Sequence, residues 1–394
     1  MTVPSRAPTI RALQGARALP PLVLVLFHYC EGRGYRGLWW FDLVVARGYL
    51  WVEFFFALSG FVLTYVYAQR LRELWGARGY GTFLGTRLAR LYPLHLAILL
   101  LILGIVVLLR AVAANGGYVS IYDERWHPIV NTPTFVANLF LVQAWNIFPY
   151  LSWNGAAWFV SVEFLLCLLF PLYLLASRWG WKAAVFLIVG GAVGLALLAE
   201  PRYGLDLTFH NGIWRGMAAF AIGVGFALLH RSAHERANAL PEVAFTLAQF
   251  AAVGCLFLAL YNTGWSHRPS DIYTAIAVMA LVLVLAFDRG LLARALATRV
   301  PLLLGEWSYA IYIGQTPLLQ LLGHAQLHLY PAPDDMILGR SWASWAPVWH
   351  WLEPALLVLA AIAWGAFLYA VIERPANALL RRAGHRPAVQ PASA

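Results

Sequence analysis

The chain has 394 residues, of which 61% are hydrophobic and only 12% are charged, and its mean hydropathy is +0.67. Soluble domains carry about 25% charged residues, so this composition excludes an ordinary water-soluble globular protein and indicates a polytopic membrane protein. The net charge of +10 does not indicate nucleic-acid binding, because membrane proteins collect basic residues in cytoplasmic loops and no basic run here is interleaved with stacking aromatic residues.

Apolar segments recur along the whole chain, and a membrane-spanning helix needs about 20 such residues. We interpret ten segments as spans, at residues 18–31, 48–68, 91–113, 156–176, 183–199, 212–230, 242–262, 271–287, 302–325 and 351–373. The first is short unless its helix begins before Pro20. They predict an all-α bundle of about ten transmembrane helices. With both termini in the cytoplasm, most of the 28 basic residues lie on the cytoplasmic side, as the positive-inside rule requires. We therefore expect an integral membrane domain over residues 1–382 and a disordered cytoplasmic tail over residues 383–394.

An eleventh apolar run, TFVANLFLVQAW at residues 134–145, is too short to cross a bilayer. If this run did cross, every later loop would change sides and the bias of the basic residues would be lost. The sequence therefore predicts a re-entrant or interfacial segment here.

The cysteines and histidines do not indicate a metal site. Cys30, Cys167 and Cys255 lie in or beside apolar segments, and no CxxC or CxxxC spacing occurs. His230 and His234 have i, i+4 spacing, but they lie in a polar segment. The sequence therefore predicts neither a disulfide framework nor a metal centre, and no tightly bound cofactor.

Arg17 and His28 stand at the two ends of the first apolar segment, ARALPPLVLVLFHYC. On one continuous helix, eleven residues make about three turns, so both side chains would share a face about 16 Å apart. A neutral imidazole at that position can remove a proton from an attacking hydroxyl. Two alternatives remain: simple interfacial anchoring, or a helix that begins near Pro20 and leaves Arg17 on the preceding loop.

Two carboxylates occur where lipid-compatible helices do not need them. Glu53 precedes the aromatic run FFF near the outer end of the second segment, and Glu163 is followed by two turns of apolar residues. Ionisable groups inside spans are costly and usually have a function, and a carboxylate commonly fixes the tautomer of a histidine. We expect Glu53 or Glu163 to orient His28, although Glu53 alone is also explained as a carboxylate at the membrane rim.

Arg87 and Arg90 are three residues apart at the cytoplasmic entrance to the third segment, so they share one face of a helix. Guanidinium groups match the oxygens of phosphates, which makes this pair a candidate phosphate-binding site. The alternative is an ordinary positive-inside signal.

Six motifs in this order resemble acyltransferase family 3, the membrane O-acetylases of lipopolysaccharide, exopolysaccharide, peptidoglycan and some secondary metabolites. The motifs are RALPPLVLVLFH (17–28), VEFFFALSGF (52–61), RLARLYPLH (87–95), WFVSVE (158–163), SYAIY (308–312) and ERP (373–375). The resemblance covers about residues 9 to 382. This chain departs from the family pattern at several positions, and Gln315 stands where the late helix often has histidine. That departure argues against a catalytic role for the late helix.

The resemblance implies an enzyme of the bacterial cytoplasmic membrane that moves an acetyl group from cytoplasmic acetyl-CoA to a hydroxyl of a carbohydrate or lipid-linked glycan. It implies His28 as general base or transient acyl carrier, with Glu53 and Glu163 as further catalytic residues. Acyl-CoA, the co-substrate, is expected to meet Arg17, Arg87 and Arg90. Supporting roles are expected for Trp158, Ser161, Tyr309 and Tyr312.

Two other classes of protein fit part of this sequence. A transporter or exporter of a small polar or glycan-related molecule also has buried ionisable residues and helices broken by Gly and Pro. Such proteins often show repeated halves, and this sequence shows no fixed-period repeat. A non-catalytic sensor or lipid-binding scaffold would tolerate the loss of His28.

Overall fold

The computed structural model describes residues 8–31, 39–68, 74–116, 129–263, 269–329 and 349–384. The structure is 83% helix, which confirms the predicted all-α class. Within the described residues the β-structure is limited to one isolated bridge between Glu200 and Gly204. Residues 385–394 of the predicted tail lie outside the described residues, and residues 383 and 384 are helical.

The described residues form a series of helices. In chain order they are α1 (Arg11–Ala16), α2 (Leu19–Glu31), α3 (Trp39–Val45), α4 (Val52–Tyr67), α5 (Ala77–Gly116), α6 (Thr132–Leu139), α7 (Trp158–Leu175), α8 (Gly180–Leu198), α9 (Gly212–Asn238), α10 (Glu242–Thr263), α11 (Asp271–Leu285), α12 (Leu291–Leu296), α13 (Arg299–Leu329), α14 (Trp349–Leu368) and α15 (Arg374–Gly384). A 3-10 turn, Gly48–Trp51, leads into α4, and a π-helical turn, Tyr369–Glu373, joins α14 to α15.

Six helical stretches are long and apolar enough to cross a bilayer, so the chain is a multi-pass membrane protein. They are Gly48–Tyr67, Ala77–Ala111, Gly155–Leu198, Gly212–Asn238, Glu242–Asn262 and Leu352–Leu379. The stretch Gly155–Leu198 contains two helices, because Gly180 adopts a φ of +57° and interrupts it. Each of the ten predicted spans coincides with a helix. Their number as crossings and the cytoplasmic placement of both termini stay predictions.

The first segment is not one continuous helix. Helix α1 ends at Ala16, Arg17 and Ala18 form a turn, and α2 begins at Leu19. The expectation of a shared helical face for Arg17 and His28 is therefore wrong, and the alternative with Arg17 ahead of the helix is confirmed. Pro20 and Pro21 explain the break, because proline is tolerated in the first turn of a helix but not in its interior.

The segment at 134–145 forms only the eight-residue helix α6, which is about 12 Å long and too short to cross. The Asn131 side chain accepts a hydrogen bond from the Thr134 amide and caps this helix. Ser161 on α7 then holds the following turn: its hydroxyl donates to the Leu141 carbonyl at 2.8 Å and accepts from the Ala144 amide at 3.2 Å. Ser161 thus has a structural supporting role.

Helices α4 and α9 approach closely through glycines. An added Cβ at Gly60 would lie 2.3 Å from the Phe220 carbonyl oxygen, and one at Gly223 would lie 1.9 Å from the Ala57 carbonyl oxygen. Small residues allow such contact between membrane helices, where packing rather than the hydrophobic effect drives association. Gly60 and Gly223 therefore set the close approach of α4 and α9.

We expect Gly223→Ala to lower the thermal unfolding temperature of the detergent-solubilised protein, because backbone atoms of α4 must move to admit the methyl group. Gly190→Ala is the matched control, since Gly190 lies in α8 with nothing within 4 Å of its added Cβ. Alanine is the better helix former by about 0.8–1 kcal/mol, so the control should be neutral or slightly stabilising. Equal unfolding temperatures for the two variants would contradict the close contact.

Candidate active site

His28 lies near the end of α2 and is paired with a residue of α13. Its Nδ1 is 3.0 Å from Oε1 of Gln315. The Gln315 amide nitrogen donates to the Tyr312 carbonyl at 2.9 Å, which orients Oε1 towards the imidazole. Because Oε1 can only accept, Nδ1 is the protonated nitrogen and Nε2 of the neutral ring carries the free lone pair. The side chain of His28 is exposed, although its neighbours Phe27 and Tyr29 are buried.

Pro317 interrupts the backbone hydrogen bonding of α13 beside Gln315. It has no amide hydrogen for the Ile313 carbonyl, and a proline ring crowds that same carbonyl in a helix. Asn154 donates to the Ile313 carbonyl at 2.9 Å, and Trp364 donates to the Gly314 carbonyl at 3.1 Å. Both carbonyls therefore have side-chain donors. The sequence argued against a catalytic role for this late helix because Gln315 replaces a histidine there; the structure shows that Gln315 contacts His28.

Glu53 does not orient His28. Its carboxylate forms a two-bond ion pair with Arg215 of α9, with Nη2 of the arginine 2.8 Å from Oε2, and both side chains are fully buried. Arg215 also donates to the carbonyls of Tyr49 and Leu207 at 2.7 and 3.1 Å. A buried carboxylate requires such compensation. The predicted contact with His28 is wrong because the carboxylate is already occupied by this guanidinium.

Trp158 supports the same ion pair. The Arg215 guanidinium carbon lies 5.3 Å from the centre of the Trp158 ring, within the range of a cation–π interaction. The supporting role expected for Trp158 is therefore consistent with its contacts.

A second buried network holds the loop that faces His28. The Tyr49 hydroxyl donates to Asp271 at 2.6 Å, and the Leu205 amide donates to the same carboxylate at 3.1 Å. Arg215 donates to the Leu207 carbonyl. Leu205 and Leu207, the residues on either side of Asp206, are therefore both hydrogen-bonded to the helix bundle. The charge of Asp206 acts on His28. The sequence sought a carboxylate near this histidine at Glu53 or Glu163, whereas the structure places the Asp206 carboxylate there.

Charged residues from four parts of the chain lie near one another, away from His28. Arg17, from the turn before α2, interacts electrostatically with Arg87 and Arg90 of α5. Glu163 of α7 interacts with all three arginines, and Glu373 of the π-helical turn interacts with Arg17 and Arg90. We call these five residues the arginine cluster. The three arginines predicted to act together are therefore brought together by the fold.

The carboxylates and a tyrosine brace this cluster. Ser59 of α4 donates a hydrogen bond to Glu163, and the Tyr309 hydroxyl of α13 donates to the Leu91 carbonyl of α5 at 2.6 Å. In the described part of the chain Glu163 bonds to Ser59 and not to His28, so its predicted orienting role is not supported. The Glu163 carboxylate instead interacts with the three arginines of the cluster.

Three aromatic rings separate the two ends of the site. Phe55, Phe159 and Tyr312 contact one another, with ring centres 5.6 to 6.1 Å apart. We call them the aromatic layer. On α4, Phe55 of this layer lies between Glu53 and Ser59, which bonds to the arginine cluster. On α13, Tyr312 lies between Gln315 and Tyr309. The His28 end and the arginine cluster therefore lie on opposite sides of these rings.

No set of three or more His, Cys, Asp and Glu residues among the described residues is arranged to hold a metal ion. The site as described consists of a histidine, amides, aromatic rings and guanidinium–carboxylate pairs. Such groups can accept a proton, bind an anion and exclude water, which are the requirements of acyl transfer.

Comparisons with known proteins agree with this chemistry. The family model described as an acyltransferase domain matches residues 10–372. The chain is 28% identical over 362 residues to "Acyltransferase MdmB" of Streptomyces mycarofaciens, covering 86% of this chain and 83% of that protein. It is 33% identical over 141 residues to "Protein 2 in picA locus" of Rhizobium radiobacter, covering 36% of this chain and 70% of that protein. No solved structure matches.

The family match extends over nearly the whole described bundle, from α1 through the π-helical turn before α15. It includes His28, Gln315 and all three arginines of the cluster. The chain belongs to acyltransferase family 3 and is a membrane acyltransferase.

Proposed function

We propose that this acyltransferase moves an acetyl group from cytoplasmic acetyl-CoA to a hydroxyl of a carbohydrate or lipid-linked glycan, in a bacterial cytoplasmic membrane. The observation that carries the proposal is the placement of an anion-binding cluster and an accessible histidine base on opposite sides of one aromatic layer. A donor with a charged head and a thin reactive arm fits such a site.

The arginine cluster is the proposed site for the phosphates of acyl-CoA. Three guanidinium groups face two carboxylates, which leaves one positive charge when all five groups are ionised. Guanidinium groups suit phosphate because they are planar, always charged and can donate two parallel hydrogen bonds. Glu163 and Glu373 keep the arginines in position. Acyl-CoA is a co-substrate in this proposal, and no tightly bound cofactor takes part.

His28 is the proposed base. The hydrogen bond from Nδ1 to Gln315 leaves the lone pair on Nε2, which can accept the proton of the acceptor hydroxyl. The same lone pair serves the alternative in which His28 is transiently acylated. In either route the Asp206 charge stabilises the imidazolium, because it lies close enough to act on the ring.

The acceptor is proposed to approach over the loop at residues 200–211, which carries aromatic and charged groups. Arg202 lies over the Tyr203 ring, and His210 contacts Phe209 and lies 3.6 Å from Glu200. Stacking rings beside hydrogen-bonding groups suit a sugar. On the topology with both termini in the cytoplasm, the segments 31–47, 114–133 and 326–350 would also face outwards, and they fall partly outside the described residues.

The donor part of this proposal is tested by binding. We expect Arg90→Gln to weaken the binding of coenzyme A to the detergent-solubilised protein by about tenfold or more, because a charge-assisted contact to phosphate contributes about 1.5–3 kcal/mol. The affinity of wild type should also fall with rising salt.

Arg294→Gln is the matched control, since Arg294 is exposed and pairs with Glu242 away from the cluster. It should bind coenzyme A as wild type does. Equal weakening in both variants, or no binding of coenzyme A by wild type, would contradict the assigned donor site, and the second result would favour a transporter.

A further inference from the structure

We propose that the Tyr312 hydroxyl is the hydrogen-bond donor that stabilises the oxyanion formed when the thioester carbonyl is attacked. This inference rests on the proposed acyl transfer and assigns a catalytic residue to it. The family resemblance implied only a supporting role for Tyr312, in the SYAIY motif.

The first observation is an unpaired hydroxyl on a buried ring. The side chain of Tyr312 is 2% exposed, and within the described residues its hydroxyl makes no hydrogen bond. Tyr309, one turn away on the same helix, is also buried, but its hydroxyl bonds to a carbonyl at 2.6 Å. The Tyr312 hydroxyl is therefore free to donate to a substrate atom that accepts a hydrogen bond.

The second observation is the position of this hydroxyl relative to His28. Tyr312 and Gln315 are three residues apart on α13, so their Cβ atoms lie about 5–6 Å from each other on one face. Gln315 bonds to His28, and its amide nitrogen bonds to the backbone of Tyr312. Tyr312 lies on the side of Gln315 that faces the arginine cluster, which is the side from which the donor thioester arrives.

The third observation is rigidity. The Tyr312 ring contacts Phe55 and Phe159, at centre distances of 6.1 and 5.6 Å, and the carbonyl of the next residue, Ile313, accepts a hydrogen bond from Asn154. An oxyanion donor is effective when it is already oriented before the reaction.

The acceptor oxygen forms a bond to the carbonyl carbon while its proton moves to Nε2 of His28, and the carbonyl oxygen becomes an oxyanion that accepts the hydrogen bond of Tyr312. The carbon–sulfur bond then breaks and the sulfur leaves with its electron pair. The thiolate takes the proton from His28, and the products are the acyl ester and free coenzyme A.

The test is the kinetics of Tyr312→Phe in nanodiscs that contain native lipid extract, with acetyl-CoA as donor. The ring and its packing are kept, so we expect the unfolding temperature and the KM for acetyl-CoA to match wild type. The kcat is expected to fall by about 100- to 1000-fold, the effect of removing one oxyanion donor. Tyr65→Phe is the matched control: within the described residues its hydroxyl also forms no hydrogen bond, and it packs against Phe61 and His230 away from the site.

A kcat equal to that of wild type would overturn the proposal. A fall in kcat accompanied by a lower unfolding temperature or a raised KM would also overturn it, because that pattern indicates lost packing. An inactive wild type would instead contradict the proposed function on which this inference rests.

Discussion

Replacing His28 with alanine is expected to lower the rate of coenzyme A release from acetyl-CoA by at least about 100-fold. A positioned general base contributes about 10²–10⁴-fold, and a transient acyl carrier is lost completely on this substitution. Neither Gln315 nor Glu53 could replace it. Gln315 cannot accept a proton at neutral pH, and Glu53 is held by Arg215.

The measurement compares His28→Ala with wild type in nanodiscs that contain native lipid extract. His234→Ala is the matched control, because His234 is an exposed histidine of α9 outside the site, and it should retain wild-type activity. Unchanged release by a normally folded His28→Ala protein would remove His28 from the chemistry.

The second large effect is expected at the ion pair between Glu53 and Arg215. Replacing Arg215 with leucine leaves a carboxylate buried without its partner, and breaking such a pair costs about 3–5 kcal/mol. It also removes the donors to the Tyr49 and Leu207 carbonyls, and so releases the loop that carries Asp206. We therefore expect a large fall in the thermal unfolding temperature of the solubilised protein.

The double variant Glu53→Met with Arg215→Leu distinguishes an unpaired charge from a simple loss of packing. Because no charge is then left buried, the double variant should be more stable than Arg215→Leu alone. A double variant that is less stable than either single variant would show that the charges are not coupled as described.

Part of the arginine cluster could be predicted from a local signal. The spacing of Arg87 and Arg90 places them on one helical face, whereas the expectation that Arg17 meets the same co-substrate came from the family resemblance. The structure adds Glu373, which the sequence placed only at a membrane boundary. The break between α1 and α2 was also readable from Pro20 and Pro21, as the alternative to a continuous helix.

The partner of His28 could not be predicted, because it depends on contacts between distant parts of the chain. Gln315 lies 287 residues from His28, and Arg215 lies 162 residues from Glu53. A buried carboxylate near a histidine suggested a pair, but the pattern contained no information about the arginine that competes for it. Asn154 gave no sequence signal, since its function is to satisfy a carbonyl that Pro317 frees on another helix.

The most direct test of the account follows the acyl group itself. Wild-type protein in nanodiscs with native lipid extract is given acetyl-CoA carrying a labelled acetyl group, and both the extracted lipid fraction and free coenzyme A are quantified. We predict that the labelled acetyl group appears on a lipid-linked or glycan acceptor in a one-to-one ratio with released coenzyme A. Binding of acetyl-CoA without release of coenzyme A or transfer of label would contradict it.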